Sequence, residues 1–262
     1  MIKTKYPIEH ELFLRCDPSG DFYSQAKKYL QLTNENIVRE IVEDISILCD
    51  KISNKYAKGS PLISLDPSTL NYILDSDFLS RYRSVNSFIT SINPTDFEYL
   101  CAYYLNLLGC LQFEVTRQSS DQGLDFYGVL PFEKHSYFGP TSEKSFLIGQ
   151  AKLYTNKVST NEIREFYGSI ELLRRRVYSK EIYSYRFATE LKSFSLINPI
   201  FISSTTFTED AAELCNKIGI RMVDIVKLNS LLSTVEKAFA SNVLIESEIR
   251  KDLERISLAQ SN

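Results

Sequence analysis

The sequence is poor in the residues on which several common kinds of site depend. Histidine occurs only at His10 and His135, far apart and without ligand spacing. That argues against a zinc centre of the usual His/Cys kind and against an enzyme that relies on a histidine base. The five cysteines (Cys16, Cys49, Cys101, Cys110 and Cys215) are scattered, odd in number and without a CxxC pair. Such a pattern argues against a disulfide framework and suits a reducing cytoplasm. No stretch approaches the roughly 18 consecutive apolar residues of a membrane span. The opening MIKTKYPIEHE turns polar at once, unlike a signal peptide. The expectation is a soluble, cytoplasmic protein with no membrane partner. Basic charge is not in excess either, because 30 Lys and Arg face 33 Asp and Glu, a net of −3. A polyanionic partner would need a local basic surface rather than a global one. Any bound metal must rely on oxygen ligands, which points to magnesium or manganese.

What is present suits one large domain, or a small one beside a medium one, in 262 residues with 44% hydrophobic and 24% charged content. Residues 1–92 read as helical. Ile37, Val38, Ile41, Val42, Ile45, Leu48 and Ile52 form one stripe at helical spacing between Thr33 and Gly59. Asp66-Pro67 has the chemistry of a helix start, and Asp77 to Ile92 is a further amphipathic segment. No strand-rich stretch or Asn-Gly hairpin shows in this region, so it offers no sign of a winged-helix wing. From Asn93 the pattern mixes. A helix over Thr95–Leu108 stops at Gly109. Strands at 111–116, 123–130 and 146–154 follow, the last two separated by a polar loop at 131–144. Ser159 and Glu162 form a capping box for a helix to about Tyr178. A less regular stretch (179–197) leads to the strand PIFISST. Thr206 and Glu209 open another helix ending at Gly219, the strand IRMVDI follows, and helices at about 227–240 and 243–258 close the chain. The order describes an α/β fold, with an antiparallel meander first and helix-crossed parallel connections later.

The third of these strands carries the strongest anomaly. Residues two apart share a strand face, so Phe146, Ile148, Gln150, Lys152 and Tyr154 line one side. A strand this apolar should be central, yet it sets an amide and an ammonium together on one face. Buried unpaired, such groups are costly, and a carboxylate or a metal would pair them. The alternative is that the strand emerges into solvent at Gln150, with Lys152 snorkelling. Asp125, lodged between Leu124 and Phe126 on the preceding strand, could supply the carboxylate if the two strands are antiparallel neighbours. It also suits a tight Gly-led turn. An aspartate and a carbonyl-type oxygen can hold a hard cation, and a lysine beside them can position water and stabilise charge on a phosphate. Glu98 is a third candidate, although Thr95 to Glu98 also reads as a capping box. Asp121 could act further out, or simply belong to an Asp-Gln-Gly turn.

Taken in order, TDFEYL (95–100), LLGC (107–110), EVTRQSSDQGLDFYG (114–128), IGQAKLY (148–154), VSTNEIREFYGSI (158–170), FISSTTFTEDAAELC (201–215) and GIRMVDIVKL (219–228) resemble the Mrr-like restriction endonuclease domain. That domain belongs to the PD-(D/E)XK nuclease superfamily, here in the variant with Gln in place of the acidic residue before x-Lys. The resemblance covers about 94–235. It implies a restriction-endonuclease-like core, a central mixed sheet flanked by helices, with a helical N-terminal region (1–92), a nuclease domain (93–240) and a C-terminal helix (241–262). It also implies magnesium-dependent hydrolysis of DNA phosphodiesters, with manganese as a substitute, leaving 5′-phosphate ends, in restriction or phage defence. Asp125 would be the main metal ligand, Gln150 the second, Glu98 the helix glutamate at the same site, and Lys152 the catalytic lysine. The stretch at 203–208 matches a structural signature and carries no chemistry. DNA is the implied partner, and a homodimer or defence-system proteins are further candidates. The only basic concentration is Lys157, Arg164, Arg174, Arg175, Arg176 and Lys180. At 100° per residue the three successive arginines diverge, so they do not form one DNA-binding face. The acidic balance favours a competing reading, a nuclease fold kept as a binding or assembly module. Repair or recombination on branched DNA is a third.

Overall fold

The computed structural model describes residues 7–32, 34–56, 62–65, 71–116, 123–131, 144–177, 185–193, 195–235, 239–240, 243–244 and 251. The chain divides into two compact units, one formed by Met1–Ser91 with Val226–Glu246, the other by Ile92–Ile225 with Ser247–Asn262. In the first unit, α1 (Ile8–Arg15) and α2 (Phe22–Leu30) precede the long α3 (Glu35–Tyr56). The Asp21 side chain caps α2 by accepting from the Ser24 amide at 2.8 Å. Along α3 the expected stripe is buried at Val38, Val42 and Ile45, Cys49 is buried although outside it, and Ile37 remains exposed. The strands β1 (Ile63–Leu65) and β2 (Tyr72–Leu74) then pair antiparallel, Ile63 opposite Leu74. This corrects two expectations. The region is not wholly helical, and Tyr72–Leu74 forms a strand where a helix opened by Asp66-Pro67 would run; residues 66–70 lie outside the described residues. The physical reason is length, because three-residue strands are too short to display alternation, and Asp-Pro serves turns as readily as helix starts. α4 (Ser76–Ser91) follows. Its Phe78 and Tyr82 meet Phe13 edge-on, with ring centroids 5.7 and 5.2 Å apart. Against them His10, 1% exposed, shares a 2.7 Å hydrogen bond between Nδ1 and the Tyr82 hydroxyl.

The second unit opens with α5 (Pro94–Leu107). Its five-stranded sheet has the order β3 (Gln112–Val115), β4 (Phe126–Pro131), β5 (Lys144–Lys152), β6 (Leu196–Ser203) and β7 (Arg221–Val223). β4 runs antiparallel to both β3 and β5, whereas β6 and β7 join in parallel. This is the expected meander followed by crossovers, and it makes β5 central. The crossovers carry α6 (Thr160–Arg174), the short α7 (Arg186–Glu190) and α8 (Glu209–Ile218). Alternation sorts the two faces. Tyr127, Val129, Phe146, Ile148 and Phe201 join Ile163, Phe166 and Ile170 of α6 and Cys215 of α8 in one apolar layer. On the other face α5 packs so close that a Cβ at Gly128 would lie 2.8 Å from Leu105. Ser159 and Glu162 form the expected capping box of α6. α8 is capped by Thr208, which accepts from the Ala211 amide at 3.2 Å, rather than by Thr206.

α9 (Ile225–Ser233) ends before the 240 expected of it, and β8 (Phe239–Ala240) pairs antiparallel with β9 (Val243–Leu244). The helix expected to begin at 243 is replaced there by strand. Only Ser241-Asn242, two residue types that turns favour, separates the paired segments. The rest of the stretch lies outside the described residues, apart from a helical Lys251. Among the described residues all five cysteines are buried and free, and no helix is long and apolar enough to cross a membrane.

Candidate active site

Asp125 sits one residue before β4, and the strand register explains its neighbours. The β4–β5 ladder ends with Phe126 opposite Gly149, so Asp125 lies just past that end, beside the last residues of β5. The Asp125 amide donates to the Gly149 carbonyl, and its own carbonyl accepts from the Thr116 amide, both at 2.9 Å. One carboxylate oxygen, Oδ2, accepts from the Ala151 amide at 2.7 Å. The side chain thus takes the place of a ladder carbonyl and is fixed by its neighbour strand. Thr116 braces the same turn, its hydroxyl donating to the Leu124 carbonyl.

Gln150 is 6% exposed, as is Asp125. This excludes the alternative in which β5 emerges into solvent at the glutamine. Among the described residues the Gln150 Oε1 is a buried acceptor without a hydrogen-bond donor. Leaving such an atom unpaired costs on the order of 1–3 kcal/mol, so it is a place where a bound partner is wanted. The amide nitrogen lies by Gly123, where a Cβ would stand 3.4 Å from Nε2 and 3.1 Å from Ser169 Oγ. Gly123 has φ +85, a conformation that favours glycine, and it clears the space beside Gln150. Gly149 has a steric role of its own, since a Cβ there would lie 2.1 Å from the Phe126 ring. That ring is fully buried, and it adjoins Asp125 in the chain.

Lys152 is half-buried at the end of β5, on the same face as Gln150. Among the described residues it makes no ion pair, although its charge reaches Glu162 and helps to lower that carboxyl's pKa. Its carbonyl accepts from the Ser204 amide at 3.1 Å and from the Ser203 hydroxyl at 3.3 Å. The Ser204 hydroxyl also bridges Tyr154, accepting from its amide at 2.9 Å and donating to its carbonyl at 3.1 Å. The stretch 203–208 therefore clamps the backbone that bears Lys152. No local sequence signal reveals this, because the contacts span fifty residues.

Glu98 lies in the second turn of α5, half-buried. It is not a helix cap. α5 starts at Pro94, and the cap is Asn93, whose side chain accepts from the Asp96 amide at 2.9 Å. The expected Thr95–Glu98 box is displaced because Pro94 occupies the first helical position, which proline favours. Cys101 lies one turn further on. Burial holds its thiol well above the usual range, and the charges of Asp125 and then Glu98 push it further. Both carboxylates therefore bear on one buried thiol. Asp121 lies outside the described residues.

The buried Asp125 carboxylate and the buried Gln150 amide oxygen are donors that fit a hard divalent cation, whereas Glu98 stands on α5, the helix packed on the other face of the sheet at Gly128. Among the described residues no group of three or more His, Cys, Asp or Glu side chains gathers to hold a metal. A cation here would depend on the glutamine oxygen as well as on carboxylates.

Residues 89–183 match the Mrr_cat family, described as restriction endonuclease. Over these residues the chain is similar to an Mrr-type restriction endonuclease domain. The match spans α5 to the end of α6 and includes Glu98, Asp125, Gln150 and Lys152, and the mixed sheet flanked by helices is the fold expected of such a domain. Among solved structures, the DNA modification-dependent restriction endonuclease AspBHI is 14% identical with a TM-score of 0.44, over 71% of this chain and 41% of its own. The MspJI restriction endonuclease, in complex with a 27-mer oligonucleotide, is 14% identical with a TM-score of 0.42, over 69% of this chain and 35% of its own. The chain therefore spans less than half the length of either. No curated protein matches it.

Proposed function

We propose that the Mrr-type domain is a metal-dependent DNA endonuclease that hydrolyses phosphodiester bonds in restriction or phage defence. The observation that carries this reading is the buried Gln150 Oε1 without a donor, beside a buried Asp125 and two residues before Lys152. Asp125, Gln150 and Glu98 would hold magnesium, or manganese in its place. When bound, the cation polarises the phosphate and makes water acidic enough to attack at neutral pH. The chain's own contribution is positional and electrostatic. Ala151 N–H fixes the Asp125 carboxylate, so its charge does not need to reorganise when DNA arrives. Lys152, with its backbone clamped by Ser203 and Ser204, presents a cation to the phosphate oxygens and to the attacking water. A cytoplasmic protein acting on DNA, as a homodimer or with defence-system partners, is the setting this reading fits.

A second reading, a nuclease fold retained as a binding or assembly module, is favoured by the net charge of −3 and by glutamine in an acidic ligand's place. Plasmid cleavage separates the two. The purified protein should cut duplex DNA with magnesium or manganese and not with EDTA, and Asp125→Ala or Lys152→Ala should each lower the rate at least 100-fold. Cleavage that survives both substitutions places the chemistry elsewhere. No cleavage by the wild type on methylated or unmodified DNA favours the module.

A further inference from the structure

The connection from β5 to α6 runs on from Lys152 through Leu153, Tyr154, Thr155, Asn156 and Lys157. Tyr154, at 37% exposure, keeps part of its ring in water, and Thr155, Asn156 and Lys157 are exposed beside it. On a chain of net charge −3, no acidic residue occurs between Glu143 and Glu162, nor between Glu190 and Glu209. These two stretches meet. Lys152 pairs with Ser203 at the end of the β5–β6 ladder. Beyond the loop, the Val158 amide donates to the Thr206 carbonyl and the Thr208 amide to the Val158 carbonyl, both at 2.9 Å. The loop is therefore pinned at both ends. The Ser204 hydroxyl adds its two contacts to the Tyr154 backbone, but neither pin depends on it.

The charge of this loop is not spent elsewhere. Among the described residues neither Lys152 nor Lys157 makes an ion pair. Glu162 feels the Lys152 charge, but it is turned back onto Ser159, whose amide donates to it at 3.0 Å. Glu209 and Asp210, in the first turn of α8, pair with neither lysine. A turn that served only to join β5 to α6 would have no need to hold an aromatic ring in water between two lysines. Tyr154 stands two residues from Lys152, no more than roughly 7 Å away at Cα. A tyrosine ring offers a large contact area and loses little side-chain freedom when it binds.

We propose that the β5–α6 loop seats the DNA strand beside the scissile phosphate, with the Tyr154 ring packed on the adjoining nucleotide and Lys157 paired with a phosphate further along. The inference rests on the nuclease reading, which places the scissile phosphate at Lys152. Charge complementarity selects a polyanion, and Lys152 at the start of the loop decides which one. Lysine, tyrosine, threonine and asparagine are side chains that hold sugar and phosphate and so fix the register of a duplex.

The test uses the full chain in EDTA, so that DNA stays intact, with thermal melting as the check on folding. A short fluorescent duplex is followed by anisotropy over a range of salt. Tyr154→Ala should bind roughly fivefold more weakly or worse, and Tyr154→Phe, which keeps the ring, about as well as wild type. Lys157→Gln should weaken binding and reduce the slope of log affinity against log salt by about 0.9, the loss of one phosphate contact. Lys192→Gln, an exposed lysine ahead of the opposite end of β6, should change neither. Wild-type affinity in either Tyr154→Ala or Lys157→Gln overturns the proposal. So does an equal loss in Tyr154→Phe, an equal loss in Lys192→Gln, or no duplex binding by the wild type. Cleavage with magnesium, measured in parallel, keeps the two readings apart. Binding that depends on the loop in a protein that never cuts refutes the nuclease reading alone. Unchanged binding and cleavage in the variants of a protein that does cut refutes the loop alone.

Discussion

Asp125 holds the Ala151 N–H through Oδ2 and would hold a cation through its charge, and substitution separates the two roles. Asparagine keeps an acceptor for the amide and loses the charge, whereas alanine loses both. Asp125→Ala should therefore cost about 1–3 kcal/mol in urea unfolding, the penalty of an orphaned buried donor, and Asp125→Asn well under half of that. Equal losses would mean that the amide bond contributes nothing. Gln150 presents the opposite case, because among the described residues its Oε1 has no donor. Gln150→Met, close in volume and without the amide, should leave stability equal or raise it by about 1 kcal/mol while abolishing cleavage. A loss of more than about 2 kcal/mol would show that the amide is satisfied in solution. Much of this pair was legible beforehand. A polar residue and a lysine two apart in an apolar strand, after an aspartate in another, specify one face and one neighbour. What spacing leaves open is burial, and the 6% exposure of both side chains settles that against the solvated alternative.

Elements were legible where they are long and regular. β5 is nine residues with an uninterrupted apolar run, and its central place follows from that composition. The hairpins β1–β2 and β8–β9 have strands of two or three residues, which show no period, so helix propensity around them prevails in a sequence reading. The cap of α5 is two residues earlier than the expected Thr95, at Asn93, because Pro94 takes the first helical position. The Ser203–Ser204 clamp on the end of β5 was invisible, since register alone brings these serines to Lys152 and Tyr154. Ser204→Ala should destabilise by about 1 kcal/mol, the usual value of a buried side-chain hydrogen bond. It should also reduce the cleavage rate through a looser Lys152, with little change in DNA affinity. A changed affinity at constant rate would argue against positioning.

At the scale of the whole molecule, the two units carry different chemistry. The second gathers the cation donors, and the first buries a histidine among aromatic rings. Burial lowers His10 to a pKa of about 4, against a small opposing pull from Glu11. The folded state therefore binds fewer protons than the unfolded chain between about pH 4 and the ordinary histidine value near 6.5. The stability tied to neutral His10 is complete above that window and is lost as pH falls through it, by up to about 3 kcal/mol. The stability gap between wild type and His10→Gln should narrow accordingly from pH 7 to pH 4. A constant gap would mean that His10 is not buried neutral. The central claim, a cation held by Asp125 with the Gln150 oxygen, is tested most directly by calorimetric titration of manganese into wild type and Asp125→Asn, both shown to be folded by melting. The account predicts a binding event in the wild type that vanishes in the variant; equal binding in both, or none in either, would contradict it.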